Sequence, residues 1–450
     1  MATIVWFRDD LRVADHPALA DAANDPDGVV CVYVWDESSA EVRPLGGAAK
    51  WWLHHSLGAL QRSLAGLGVP LVLRRGAAEQ VIPALVREVG ATRVLWNRRY
   101  GPEREIDARL KLALREQGVA ANSYIGGLLH EPWTVLTGEG TPFRVYSPFW
   151  RATLRLPEPA APIAAPSSLT PAIRRPESDL LDSWRLTPSA PDWATGLARR
   201  WTPGEAAAAE ALTVFLDERA PEYEAGRDIP SIDATSTLSP HLRWGELSPR
   251  TVWHRALASG QDVGMFLSEL GWREFAHHTR FHWGDIESTN LNLRFDQFPW
   301  RTPDADDLSS WQHGRTGIPI VDAGMHELWE TGFMHNRVRM VAASFLTKHL
   351  LTDWRVGEAW FWDTLVDADA ASNPFNWQWV SGSGLDAAPF FRIFNPVLQQ
   401  QKFDPDGRYV ERWAPDSLLT PPIVDLAEGR RRALLAYEQV RSGASHMAPR

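Results

Sequence analysis

The chain has 450 residues, 44% of them hydrophobic and 23% charged, which fits two or three soluble domains with a sizeable core. No run approaches the ~18 apolar residues of a membrane span, the opening MATIVWFRDDLR is charged too early for a signal peptide, and one cysteine, Cys31, excludes internal disulfides and CxxC motifs, so the expected compartment is the cytoplasm. The net charge of −10 sits mainly in residues 201–400, with 27 acidic against 15 basic side chains, and this counts against nonspecific wrapping of duplex DNA.

Residues 1–130 alternate β-rich runs (Thr3–Phe7, Val29–Val34, Leu71–Leu73, Arg93–Trp96) with helix-like stretches near Pro17–Ala23, Ala49–Gly66, Ala78–Val89 and Glu103–Gln117. That alternation predicts βαβ units and a parallel sheet. No GxGxxG follows the first strand and no GxxxxGK[ST] occurs, so neither a dinucleotide fingerprint nor a P-loop is present. Nine prolines between Leu154 and Pro203 argue for a long surface connector without regular structure. Beyond it the signals are helical: an Ala-rich stretch at Ala206–Arg219, glycine-jointed segments over Gly317–Lys348, and two Ser-Pro pairs. Ser239-Pro240 and Ser248-Pro249 each place an N-cap before an N1 proline. The expected architecture is an α/β domain (1–130), a connector (131–203), an all-α domain (204–430) and a tail (431–450).

Tryptophan is the outlier, with 23 against 7 tyrosines and 12 of them between Trp244 and Trp379. Core packing explains many; stacking on a ring cofactor or bases, or electron transfer, would explain the excess over tyrosine. Tyr223, Arg227 and the run Thr235-Ser236-Thr237-Leu238-Ser239 gather hydroxyls and free N–H groups at a helix start, which suits a phosphate or an ordinary capped turn. Phe266, Glu269 and Arg273 share a helical face with Trp272 beside them, able to read a ring and its polar edge or to form only an i, i+4 Glu–Arg pair. Glu274, His278 and His282 have ligand spacing, but no further Cys or acidic partner supports them, and no metal is expected. Met334–Met340 and Asp367-Ala368-Asp369 are polar within apolar flanks, so an Arg339–Asp367 pair is the economical way to satisfy them.

These segments resemble the photolyase/cryptochrome flavoproteins over almost the whole chain. The strings are VWFRDDLR and DHPAL near the start, WREF (272–275), TGIPIVDAGM (316–325), GFMHNRVRMVAASFL (332–346), DWRVGE (353–358), NWQWVSGSGLDAAPFFRIFNP (376–396) and KFD (402–404). The resemblance implies an antenna-type α/β domain, a connector, and an all-α domain that binds FAD and DNA. Tyr223 and Thr235, Ser236, Thr237, Leu238 and Ser239 would cradle the FAD phosphates, with Phe266 and Arg273 nearby. Asp367, paired with Arg339, and Ala368 and Asp369 would contact the flavin ring and ribose. Asn373 would face flavin N5.

The same resemblance assigns Glu269, Trp272, Asn336, Met340 and Trp379 to the lesion pocket of cyclobutane pyrimidine dimer photolyases. A flipped dimer needs stacking walls (Trp272, Trp379), pyrimidine-edge partners (Glu269, Asn336) and a soft filler (Met340). Arg227 and Arg337 are the expected phosphate contacts. Trp377, Trp354 and Trp300 resemble a photoreduction chain, with Trp360 and Trp362 as a branch. The segment HNRVRM lacks the histidine pair of (6-4) photolyases. Asn373 and the short stretch after FRIFNP distinguish the chain from signalling cryptochromes. The implied activity is light-driven dimer repair in DNA by electron transfer from excited reduced FAD, with Glu269, Asn336 and Asn373 as catalytic groups. Residues 43–57 look like a subgroup with 5,10-methenyltetrahydrofolate as antenna, the alternative being 8-hydroxy-5-deazaflavin, and Glu103 would bond the pterin edge. A monomer with no membrane association is expected.

Overall fold

The computed structural model describes residues 2–386 and 391–443. β1 (Ala2–Phe7), α1 (Pro17–Ala22), β2 (Val29–Trp35), α2 (Gly47–Gly66), β3 (Leu71–Arg75), α3 (Ala78–Val89), β4 (Ala91–Asn97), α4 (Arg104–Glu116) and β5 (Ala120–Tyr124) form the expected α/β domain. Its five strands are all parallel, in the order β3-β2-β1-β4-β5. β1 and β2 are buried at every position because helices cover both faces, which is why they read as continuous apolar runs. Val5, Phe7 and Cys31 pack with Trp52 and Leu57 of α2 on one face. Ile4, Trp6 and Val32 pack with Ile82 and Leu110 on the other. β5 carries no such run: AANSY is an edge strand in which only Ala121 is buried, so the pattern could not announce it.

The proline-rich connector lies against the sheet. Leu169 N–H donates to Leu67 O at 2.7 Å, Val29 N–H to Thr170 O at 2.8 Å, and Asp179 N–H to Leu73 O at 2.9 Å. Residues 131–203 are not uniformly connector, however. α5 (Tyr146–Thr153) stacks on a helix of the helical domain, and α6 (Thr195–Arg200) is regular.

The helical domain comprises α7 (Glu205–Val214), α8 (Ser239–Arg243), α9 (Pro249–Ala258), α10 (Gly264–Trp283), α11 (Pro319–Thr331), α12 (Asn336–Ser344), α13 (Trp354–Thr364), α14 (Ser372–Ser381) and α15 (Leu426–Gly443), with shorter helices between. Ser248 caps α9 as expected, accepting from Thr251 N–H. Ser239 does not cap α8: the cap is Leu238, and Ser239 is its first residue. Residues 431–443 are no tail, since Ala433 and Ala436 of α15 are buried against Phe298 and Leu351; residues 444–450 lie outside the described residues. Two buried arginines clasp the domains together, Arg12 donating to Gly245 O at 2.9 Å and Arg250 to Asp15 Oδ1 at 2.6 Å. Among the described residues no helix is long and apolar enough to cross a membrane.

Candidate functional site

α8, α10, α12 and α14 surround a cavity of about 460 Å³ in the helical domain. Ser236, Ser239 and Tyr223 line it, as do Phe266 and Arg273 from α10 and the loop residues Asp367, Ala368 and Asp369. The expected Arg339–Asp367 pair forms, two-pronged at 3.1 and 2.9 Å, and Ser239 Oγ donates to the same carboxylate at 2.7 Å. Freed from capping duty, Ser239 thus ties α8 to the 367–369 loop. Leu238 is core, Thr237 takes the left-handed conformation (φ 54°) with its hydroxyl on Ser236 O, and the Thr235 carbonyl accepts from Arg219.

Arg243, one helical turn after Ser239, lines the cavity and was missed in the sequence. Its Nε donates to Ala368 O at 2.8 Å and its Nη1 pairs with Asp9 of the α/β domain at 2.8 Å. The i, i+4 spacing from Ser239 was the available signal. Burial alone would raise the Asp369 carboxyl, but His277, Arg273 and Arg243 together hold it well below the usual carboxylate range. Burial lowers His277 to about 4, against the pull of Asp369, so the ring is neutral at neutral pH. Its Nε2 stands 3.6 Å from Asp369 and has no hydrogen-bond partner.

The same cavity is lined by the expected lesion-pocket residues Arg227, Glu269, Trp272, Asn336, Arg337, Met340 and Trp379. Trp272 is backed by Tyr146 of α5, stacked at 3.7 Å and 13°, while Trp379 Nε1 donates to Asp386 O at 3.1 Å. Glu269 pairs with Arg227 instead of Arg273, whose Nη1 goes to Gly127 O at 2.8 Å. Arg337 pairs with Asp228 at 2.6 Å. Both arginines on this rim therefore carry acidic partners. Asn373 also lines the cavity, its Nδ2 bonded to Glu358.

Trp377 also lines the cavity, held edge-on by Phe361 at 5.0 Å and Trp311 at 6.2 Å. It shares one apolar cluster with fully buried Trp354, and Trp300 and Trp360 pack at that cluster's margin. Trp354 Nε1 donates to Asn290 at 2.9 Å, and Trp300 leans on Phe298 at 4.3 Å. Trp362 turns to the other domain, donating to Pro44 O at 2.8 Å. Glu103 lies away from the cavity, paired with Arg280 at 2.9 Å; burial would raise it, but Arg280 and Arg99 hold it at about 2. Glu274 accepts from Leu129 and His130 N–H, and no set of three metal-ligating side chains forms among the described residues.

The profile of the FAD-binding domain of DNA photolyase matches residues 266–422, and that of DNA photolyase matches 3–167. The deoxyribodipyrimidine photo-lyase of Agrobacterium fabrum is 49% identical over 97% of this chain and 98% of its own length. This chain belongs to the DNA photolyase family. Its fold is likewise similar to the crystal structure of a class III photolyase from Agrobacterium tumefaciens, with a TM-score of 0.94 at 48% identity and 98% coverage of both chains. Cryptochrome-1 of Arabidopsis thaliana is more distant, 38% identical over 92% of this chain and 63% of the plant protein. The FAD-binding profile spans α10 through α14, the helices that carry most of the cavity wall.

Proposed function

We propose that this chain is a deoxyribodipyrimidine photo-lyase that binds FAD and repairs cyclobutane pyrimidine dimers in DNA under blue light. The observation that carries the reading is that a single cavity is lined both by hydroxyls and arginines suited to FAD and by two tryptophans suited to stacking a dimer. The residues present fit the cofactor. Ser236 and Ser239 offer hydroxyls to phosphates, Arg243 and Arg339 offset their charge, and Asp369 remains an ionised acceptor for ring N–H groups. Bound there, reduced FAD would supply reversible one-electron photochemistry with no net redox change, so no nicotinamide site is needed.

The chain's own groups do the rest. Trp272 and Trp379 stack the extruded dimer, Glu269 and Asn336 bond its polar edges, and Met340 fills the gap. DNA phosphates take Arg227 and Arg337 from Glu269 and Asp228, which frees Glu269 for the pyrimidine edge. That exchange limits the net electrostatic gain and suits binding driven by extrusion of a weakened pair. Trp377, Trp354 and Trp300 relay electrons from the surface when oxidised flavin must be reduced. The resemblance of residues 43–57 supports 5,10-methenyltetrahydrofolate as antenna, with ionised Glu103 an acceptor for its pterin edge. We place the protein in the cytoplasm as a monomer.

Purified protein should carry about one FAD per chain and bind a dimer-containing single strand more tightly than its undamaged counterpart, by the ~1–3 kcal/mol of a base–aromatic stack. Equal affinity for the two strands would refute the lesion pocket.

A further inference from the structure

The amide hydrogens of Asn373 point away from the cavity. Nδ2 donates to Oε1 of Glu358 at 2.8 Å and to the main-chain oxygen of Glu358 at 3.1 Å. A carboxylate and a carbonyl only accept, so the amide is oriented by chemistry, NH2 toward Glu358 and Oδ1 left for the cavity. Glu358 is 2% exposed, and its own partner comes from the other domain: Arg43 bonds both carboxylate oxygens, at 2.7 and 2.8 Å. The guanidinium lies 4.1 Å above the Trp362 ring. Behind it the charges alternate, with Glu287 3.9 Å from Arg43, Arg280 2.9 Å from Glu287, and Glu103 2.9 Å from Arg280.

We infer that Arg43, in the α/β domain, is a positioning residue for the flavin: acting through Glu358, it fixes the Asn373 amide with oxygen, not nitrogen, toward the cavity. The inference rests on the FAD reading above. An acceptor beside a ring nitrogen favours the reduced ring, in which that nitrogen bears hydrogen, over the oxidised ring, in which it presents a lone pair. Without Arg43 the Glu358 carboxylate is a buried charge lacking its cation, a state relieved by taking up a proton. A carboxylic acid can donate as well as accept, so only the main-chain oxygen of Glu358 still requires the amide N–H, the preference for one orientation weakens, and the turned-over amide with N–H toward the cavity becomes populated. The reduced form then loses its advantage. Within this account the surface of contact between the domains helps set the potential of the flavin.

The test is an anaerobic redox titration of the FAD-loaded protein in darkness. Arg43→Gln should move the two-electron midpoint at least about 30 mV more negative, a tenfold change in the equilibrium, while Arg43→Lys, which keeps a cation, stays near the wild-type value. Loss of a positive charge could act on the flavin directly, so the decisive comparison is in an Asn373→Ala background, where Arg43→Gln should add no further shift. An unchanged midpoint in Arg43→Gln, or an equal shift in the Asn373→Ala background, overturns the inference. If Arg43→Gln does not fold, Glu358→Leu removes the carboxylate acceptor from within the helical domain, leaves only the main-chain oxygen to orient the amide, and should shift the midpoint in the same negative direction. Wild-type protein that binds no FAD would instead overturn the parent reading.

Discussion

Gly357 offers a test of where Trp377 sits. A Cβ built on Gly357 would stand 2.1 Å from Cη2 of Trp377, 2.5 Å from its Cζ3 and 2.6 Å from Leu346 Cδ2. Ordinary carbon contacts need roughly 3.5 Å, so Gly357→Ala forces the indole to move by more than an ångström. Trp377 is 2% exposed and held by Phe361 and Trp311, so the space into which it can yield is the cavity it lines. Overpacking of this kind costs about 1–3 kcal/mol. Gly357 lies inside α13, where alanine regains up to about 1 kcal/mol of helix propensity. The net expectation is a loss of about 0–2 kcal/mol, read by denaturant unfolding. The functional signature is sharper: slower photoreduction of oxidised FAD under blue light with an external reductant, but normal repair by protein reduced beforehand with dithionite. Wild-type stability together with wild-type photoreduction would refute both the packing and the role given to Trp377.

Trp377→Phe should block photoreduction outright while sparing repair by chemically reduced protein; normal photoreduction would mean that the electron path runs elsewhere. Asp367→Asn breaks the two-pronged pair with Arg339 and weakens the bond from Ser239, so FAD affinity should fall, with about 2 kcal/mol lost for a pair buried on one side and part-exposed on the other; unchanged FAD retention would contradict this. Burial pushes the Glu274 carboxyl up to about 7, opposed by Arg273, whereas its ordinary value is 4.5. Between those values the folded chain keeps a proton that the unfolded chain has released, so this contribution to stability is full below about pH 4.5 and lost as pH rises through 7. Glu274→Gln should therefore gain up to about 3 kcal/mol relative to wild type at pH 8 compared with pH 5, measured by denaturant unfolding at both values. An equal difference at the two pH values would show that Glu274 is not buried as described.

The sheet was legible because its central strands are covered on both faces and so are apolar throughout; β5 was not, because an edge strand needs no such run. The site was legible where several polar side chains converge within one short string, as in Met334–Met340 and Asp367–Asp369. It was illegible where partners lie far apart in the chain. Nothing in RPLGG announces that Arg43 will meet Glu358, some 300 residues later, nor does Asp9 point to Arg243.

Dithionite-reduced protein incubated with a thymine-dimer oligonucleotide in blue light should remove the dimer, with restored thymines and no net oxidation of the flavin, and in darkness should leave it intact. Intact dimer after illumination of flavin-loaded, reduced protein would contradict the repair activity.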